Sequence, residues 1–372
     1  MKSFKKLSVL MLLIMFLAGM VTGCGQKADD AKEEPAPPQE EEFVVGFVYS
    51  GPVGDFGWAY AHDLGRQYLE NNVSGVRTIY IEDVPAGPDA ERAMNELIQR
   101  GARVVFTTSY GFMDFTINVA EQHPDVIFLN CSGFKTAENA GNYWARMYEA
   151  SYLSGIAAGL KTETNILGYV GAFPVPLVVR QINAFALGAQ SVNSDVTVNV
   201  IWTNKFYDPA TEKEAALGLI DLGADVLAQY QNSPATQQAA QERGVWGISC
   251  YADMTQFAPQ ATLTGPVWNW GPYYADIVQQ IMAGNWESHH TYWGSMKEGI
   301  VYLAPYNENV MTPEMIEAVE AAKAALFAGE LDIFAGPIMN QAGELVVPEG
   351  SSMSDQEKLG MNWFVKGVQG NL

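Results

Sequence analysis

From residue 43 onward, short runs rich in β-branched and aromatic residues alternate with longer stretches whose apolar positions recur every three or four residues. The short runs lie at 43–49, 77–81, 104–107 and 126–130, and again at 166–170, 197–202, 226–229 and 246–248. They are almost continuously apolar rather than alternating, which predicts strands covered on both faces, as parallel strands are. The intervening stretches predict helices at 58–71, 89–100, 114–122, 178–191, 211–222 and 234–243. Two series of strand–helix alternation predict an α/β fold of two doubly wound parallel-sheet lobes.

A helix at 147–160 separates the two series, and its Gly155, Ala157, Ala158 and Gly159 allow close packing. A helix at 273–283, a strand at 299–303 and a helix at 313–327 follow. They are too few for a third domain and are expected to cross back, so that the lobes share a hinge. The expected division is 43–163 with 268–295 for the N-terminal lobe, and 164–267 with 296–372 for the C-terminal lobe.

Ahead of this region, Lys2, Lys5 and Lys6 precede an apolar run at 7–21, which is short for a membrane span. The run ends in Val21-Thr22-Gly23-Cys24, similar to a bacterial lipobox. Residues 1–23 are therefore expected to be a lipoprotein signal peptide, with Cys24 carrying the acyl chains; an uncleaved anchor or an ordinary signal peptide is the other reading. Acids and prolines fill 24–42, a composition that extends a chain and buries little, so this stretch is expected to be a tether.

The chain of 372 residues holds 21 Lys+Arg against 42 Asp+Glu, for a net charge of −21. Loss of residues 1–23 removes three lysines and no acid, giving −24. Such a surface cannot replace the counterions of a phosphate backbone, so no nucleic acid polymer is an expected partner. Cys131 and Cys250 each end an apolar run, and buried free thiols are expected, with a disulfide still open to an exported protein.

Ligands of open parallel sheets sit beyond the carboxyl ends of the strands. The segments that fall there are 50–58, 108–112, 130–133, 171–176, 202–208, 230–234 and 251–253. Aromatics, amides and acids crowd them, while His and Lys are nearly absent, which suits a neutral, flat, hydrogen-bonding ligand. Catalytic signals are weak. The stretch Gly155-Ile156-Ala157-Ala158-Gly159-Leu160-Lys161-Thr162 approaches a phosphate loop, but Leu160 separates the Gly from the Lys and the stretch lies in a helix rather than at its start. No nucleophile elbow occurs. The four histidines, His62, His123, His289 and His290, lack metal-site spacing. No cofactor, metal or enzyme activity is expected, although carboxylates from distant loops leave an exported enzyme as an alternative.

Val45-Gly46-Phe47-Val48 followed by Gly54-Asp55-Phe56-Gly57-Trp58 resembles the basic-membrane-protein (Bmp/Med) family of ABC-transporter substrate-binding lipoproteins, which includes purine-nucleoside receptors. The likeness continues through 120–125, 148–155, 184–189, 206–210 and 223–226. It implies a type I periplasmic-binding-protein fold, a cleft that closes, and no catalysis. It also implies three partners: a small-molecule ligand, an ABC permease with its ATPase, and the membrane through the lipid anchor on its extracytoplasmic face. The chain departs from the family pattern at informative places. The first loop of the family reads Asp-x-Ser-Phe-Asn, whereas Trp58 is followed here by Ala59. Trp268, behind Leu263-Thr264-Gly265, stands where the family has a ribose-contacting Lys, and Tyr251-Ala252-Asp253 keeps the second acid of an Asp-x-Asp pair. Rings replacing hydroxyl-binding groups favour a free purine base of the adenine, guanine or hypoxanthine type. Other readings are a nucleoside or a flavin-like heterocycle, an exported nucleoside-processing enzyme, and a surface antigen without a tight ligand.

On this resemblance Trp58 and Phe206, from opposite lobes, are expected to sandwich the ring. Asp253 and Asn232 would read its edge, with Tyr110 and Asn130 as further partners and Trp202, Trp268 and Trp270 as walls. Asp55 and Phe56 join the site from the first loop. Each Trp has a second reading as packing, Asp253 as a cap or hinge ion pair, and Asp55 as the cap of the helix that opens near Trp58.

Overall fold

The computed structural model describes residues 42–372; the expected signal peptide, Cys24 and all but the last residue of the tether lie outside the described residues. Contacts gather Glu41–Leu372 into one unit. The first series runs β1 (Phe43–Val48), α1 (Trp58–Asn72), β2 (Val76–Ile81), α2 (Pro88–Gln99), β3 (Ala102–Thr107), α3 (Met113–Gln122), β4 (Ile127–Cys131) and β5 (Ala140–Ala145). The second runs α4 (Met147–Lys161), β6 (Ile166–Gly171), α5 (Pro176–Val192), β7 (Thr197–Trp202), α6 (Pro209–Asp221), β8 (Val226–Tyr230), α7 (Ala235–Arg243) and β9 (Trp246–Gly247). The chain returns through β10 (Pro266–Trp268), α8 (Trp270–Met282), β11 (Thr291–Gly294), β12 (Val301–Leu303) and α9 (Pro313–Ala328). It ends with β13 (Ile338–Met339), β14 (Leu345–Val347), α10 (Asp355–Leu359) and β15 (Val368–Gln369).

Two parallel sheets result, ordered β11-β5-β4-β3-β1-β2 and β15-β7-β6-β8-β9. In both, the chain winds to one side of the first strand and then to the other, so loops from neighbouring strands part at one edge and leave a crevice. Helices cover both faces, which is why the central strands are apolar throughout: Val44, Val45, Phe47 and Val48 of β1 are all buried. The tail supplies an edge strand to each sheet, β11 beside β5 and β15 beside β7.

Helix α4 packs against α5, not against the first sheet. Gly155 faces the Phe185 carbonyl and Gly188 faces the Tyr152 carbonyl so closely that a Cβ would stand 2.1 and 2.0 Å from those oxygens. The two helices meet along stripes of Gly and Ala, and no larger residue fits between the backbones. The expected division at 163 groups α4 with the first series, whereas its small-residue face packs on α5 of the second.

Two further links involve the returning chain. Strands β10 and β12 pair antiparallel, and Asn269 ties them to the return segment through its N–H on Ile300 O (2.8 Å) and its Nδ2 on Gly299 O (2.8 Å). Arg146 forks onto the Asp355 carboxylate at 3.0 and 2.9 Å, with its guanidinium 4.1 Å from the Trp293 ring centroid. Cys131 and Cys250 are buried free thiols, both pushed up by burial. Among the described residues, no helix is long and apolar enough to cross a membrane.

The α4–α5 contact predicts that Gly188→Ala lowers stability by about 1–3 kcal/mol in urea denaturation, because its methyl meets an immovable carbonyl. Gly218→Ala, whose Cβ would sit 3.4 Å from the Ile201 side chain, should instead be neutral or gain up to about 1 kcal/mol from helix propensity.

Candidate functional site

A cavity of about 430 Å³ opens between the lobes, where the carboxyl ends of the strands of both sheets meet. The first lobe contributes Asp55, Trp58, Thr108, Tyr110 and Trp144, and the second contributes Phe206, Tyr207, Tyr230, Asn232 and Tyr251. Seven of the seventeen lining residues are aromatic, and none is Lys, Arg or His. The carboxylates at its wall are Asp55 and Asp83. Such a lining suits a flat guest without negative charge.

The first loop is organised by one side chain. The Asp55 carboxylate, 2% exposed, accepts N–H groups from Gly57 (2.7 Å), Ala59 (3.0 Å) and Tyr60 (3.0 Å). These are the donors that the first turn of α1 leaves without helical partners. Burial raises its carboxyl above the usual range, while the three N–H groups pull it back. Asp55 thus lines the cavity and fills the positive end of α1, leaving no phosphate seat there. Phe56 is held in the left-handed region at φ 56°, a conformation that costs a non-glycine residue roughly 1–2 kcal/mol.

Trp58 opens α1, and its indole Nε1 donates to Thr108 O at 2.7 Å, which fixes the ring plane. Its other neighbours are rings: Trp144 at 5.6 Å, Trp268 at 5.9 Å and Trp270 at 6.0 Å between centroids. Tyr110 is 56% exposed and Phe206 is 38% exposed, both at the cavity. Asn232 lies beside them. Its backbone N–H donates to Phe206 O at 2.8 Å, while its buried Oδ1 has no hydrogen-bond partner among the described residues.

Six of the residues expected at the site stand away from the cavity wall. Phe56 turns across the gap and meets Phe257 edge to face at 4.8 Å. Asn130 braces the end of β3, its Nδ2 donating to Thr107 Oγ1 (2.9 Å) and Ser109 O (2.9 Å), while its buried Oδ1 has no partner among the described residues. Trp202 sits near the edge of the second sheet, stacked on Phe364 with its Nε1 on Asn371 O at 2.7 Å. Asp253 points to solvent and accepts from Thr255 N at 2.9 Å, so it caps a short turn. Trp268 and Trp270 stack on each other at 4.6 Å, 4% and 0% exposed, and back the Trp58 ring.

Trp144, Asp83 and the tyrosines at 207, 230 and 251 line the cavity without having been singled out. The tyrosines fall in strand-end segments that the pattern marked. Trp144 falls in β5, whose sequence Ala-Gly-Asn-Tyr-Trp-Ala has no apolar run to betray it.

Beneath the second-lobe loops lies Glu212, fully buried. It accepts from Asp208 N at 3.0 Å and from the Ser233 hydroxyl, so one carboxyl ties the loop of Phe206 to that of Asn232. Burial pushes it up to about 7. Glu149, which accepts from Met296 N (2.7 Å) at the hinge, is likewise pushed up to about 7 by burial. Among the described residues, no group of three or more His, Cys, Asp or Glu could hold a metal ion.

Two hinged α/β lobes with a ring-lined cleft at their strand ends define a solute-binding protein of the periplasmic type. The family described as ABC transporter substrate-binding protein, PnrA-like (Bmp), matches residues 43–329, and the chain belongs to that family. It is 44% identical over 334 residues to a purine-binding protein of Brucella abortus (strain 2308), covering 90% of this chain and 95% of that one. It is 38% identical over 356 residues, 95% of this chain and 86% of the other, to a Haloferax volcanii protein assigned provisionally to glucose binding in an ABC transporter. The fold matches the solute-binding protein of an ABC transporter system from Conexibacter woesei with a TM-score of 0.67 at 23% identity, over 78% of this chain and 98% of that one. As a substrate-binding protein of an ABC transporter, the chain works outside the cytoplasm with a small-molecule ligand and a permease.

The raised carboxyls set a pH dependence. Because Glu212 and Glu149 hold their protons more tightly when folded than the ordinary value of 4.5, ionising them opposes folding. Stability should therefore fall as pH rises from about 4.5 to about 7 and level off above, by at most about 1.4 kcal/mol per pH unit per group. Glu212→Gln should remove its share of that slope, as followed by urea titrations between pH 4.5 and 8.

Proposed function

We propose that this chain captures a free purine base in the interlobe cleft and delivers it to the permease of an ABC importer. The observation that carries this reading is the lining: rings from both lobes, no cation, and an unpartnered buried acceptor at Asn232. Trp58 lines the cavity and has committed its N–H to Thr108, so it would meet a guest through its ring carbons. Phe206 stands on the other lobe, half-exposed and free to cover the second face of a ring. Stacking is worth about 1–3 kcal/mol per base, so two rings supply much of the roughly 8 kcal/mol of a micromolar complex. A base N–H on Asn232 Oδ1 would satisfy an atom that is otherwise buried without a partner. Binding to both lobes favours the closed state, and the closed state is what a permease can recognise.

The Brucella relative is named for purine binding, which agrees with this choice. The cavity of about 430 Å³ has room for more than a ring pair, and this volume favours a nucleoside as the second reading. Cys24, outside the described residues, remains the proposed lipid anchor, with the acidic stretch after it as tether. Binding without chemical change is part of the proposal.

Calorimetry with adenine, guanine, hypoxanthine, xanthine, their nucleosides and glucose tests the ligand class. Neutral bases should bind tightest, and xanthine, which carries partial negative charge near neutral pH, weakest among the bases. A nucleoside or glucose binding more tightly than every base would overturn the reading. Phe206→Ala should weaken base binding roughly tenfold or more, about 1–3 kcal/mol, with an unchanged melting temperature. Trp58→Ala should weaken it at least as much.

A further inference from the structure

Gly57 stands just before α1 on the first lobe, and Asn232 follows β8 on the second. A Cβ built on Gly57 would stand 2.5 Å from Asn232 Cα, 2.6 Å from its carbonyl oxygen and 2.7 Å from its carbonyl carbon. All three are backbone atoms, so no rotamer change relieves the overlap. One residue earlier, Phe56 meets Phe257 of the second lobe edge to face at 4.8 Å. These two contacts join the lobes directly beside the cavity without passing through anything bound in it. They also bear on the cavity wall, because the Asn232 N–H holds Phe206 O at 2.8 Å.

We propose that residues 56 and 57 are the seat on which the second lobe lands when the cleft shuts, and that the missing side chain at Gly57 sets how far it shuts. Gly57 is a positioning residue: it touches no ligand, but its backbone fixes the distance at which Asn232 and Phe206 approach Trp58. A methyl group there holds the loops apart by the width of the overlap, and the guest then meets one lobe at a time. When the lobes part, the same methyl is clear of Asn232. Phe56 and Phe257 add a contact that exists when the lobes are together and is lost when they part, so their removal favours opening and speeds release.

The test compares the full-length wild type with Gly57→Ala and Phe257→Ala. Small-angle scattering is measured with and without adenine, with adenosine and glucose as parallel probes. Stopped-flow fluorescence with the probe that binds the wild type gives association and dissociation rates. The expected result for Gly57→Ala is affinity at least tenfold weaker, a loss confined mainly to faster dissociation, and little compaction on adding the probe. Phe257→Ala should still compact but release the probe several-fold faster; should Gly57→Ala fail to fold, this variant alone decides the matter. Wild-type affinity, rates and compaction in both variants would overturn the proposal, as would a wild type that compacts with none of the three probes. Compaction and tight binding with adenosine or glucose instead of adenine would overturn the base reading while leaving the closure contact standing.

Discussion

Three backbone N–H groups at the head of α1 converge on the Asp55 carboxylate, and the geometry of the cleft follows from that convergence. The chain must reverse between Asp55 and Trp58 to bring those donors onto one side chain, and Phe56 takes a left-handed conformation to allow it. That turn sends Phe56 toward the other lobe, leaves Gly57 against Asn232, and sets Trp58 where its N–H reaches Thr108. A carboxylate in this place also neutralises the helix terminus that would otherwise attract an anion. One buried acid therefore positions the Trp58 ring, shapes the contact of Gly57 with Asn232 and occupies the helix terminus that an anion would need.

The rings behind Trp58 do a different job from the rings in front of it. Trp268, Trp270 and His62 form a packed column, with His62 stacked on Trp270 at 4.7 Å and edge-on to Trp58 at 4.3 Å. Burial lowers the His62 imidazole well below its usual range, so the column stays uncharged. His62 Nδ1 and Tyr274 share a hydrogen bond of 2.5 Å, and Tyr274 shares another with Tyr143 at 3.0 Å. Within the column only His62 Nδ1 is paired in this way; His62 Nε2 and the indole Nε1 atoms of Trp268 and Trp270 are buried without a partner among the described residues. Substituting a ring of this column would act on the cavity through the orientation of Trp58.

Most strands were legible because buried parallel strands must be apolar on both faces, and eight of them announce themselves as unbroken runs. Those built differently stayed hidden. Strand β5 alternates Asn, Tyr and Trp beside the edge strand β11, so its composition resembles a loop, and Trp144 at the cavity was hidden with it. The site was legible in the same uneven way. Strand-end position identified the right segments, yet only five of the nine residues singled out in them line the cavity. Position along a chain does not give the direction of a side chain: Trp202 and Trp58 both follow this logic, and one turns toward the C-terminal tail while the other turns inward. Asp253 and Asn130 were chosen for hydrogen-bonding capacity; Asp253 spends it on a neighbouring turn, and Asn130 Nδ2 spends it on Thr107 and Ser109 at the end of β3.

By itself the sequence determined the α/β alternation, the two series of strands, and the neutral, aromatic character of the segments at their ends. Each of these depends on local pattern: which residues can be buried in a strand or repeat along a helix face. Tertiary structure decided that α4 belongs with α5, which rings look into the cleft and which support them, and that Gly57 touches Asn232. Those outcomes depend on distances between segments far apart along the chain, where a contact of 2 or 3 Å is fixed by how two packed lobes meet and leaves no periodic trace in either segment.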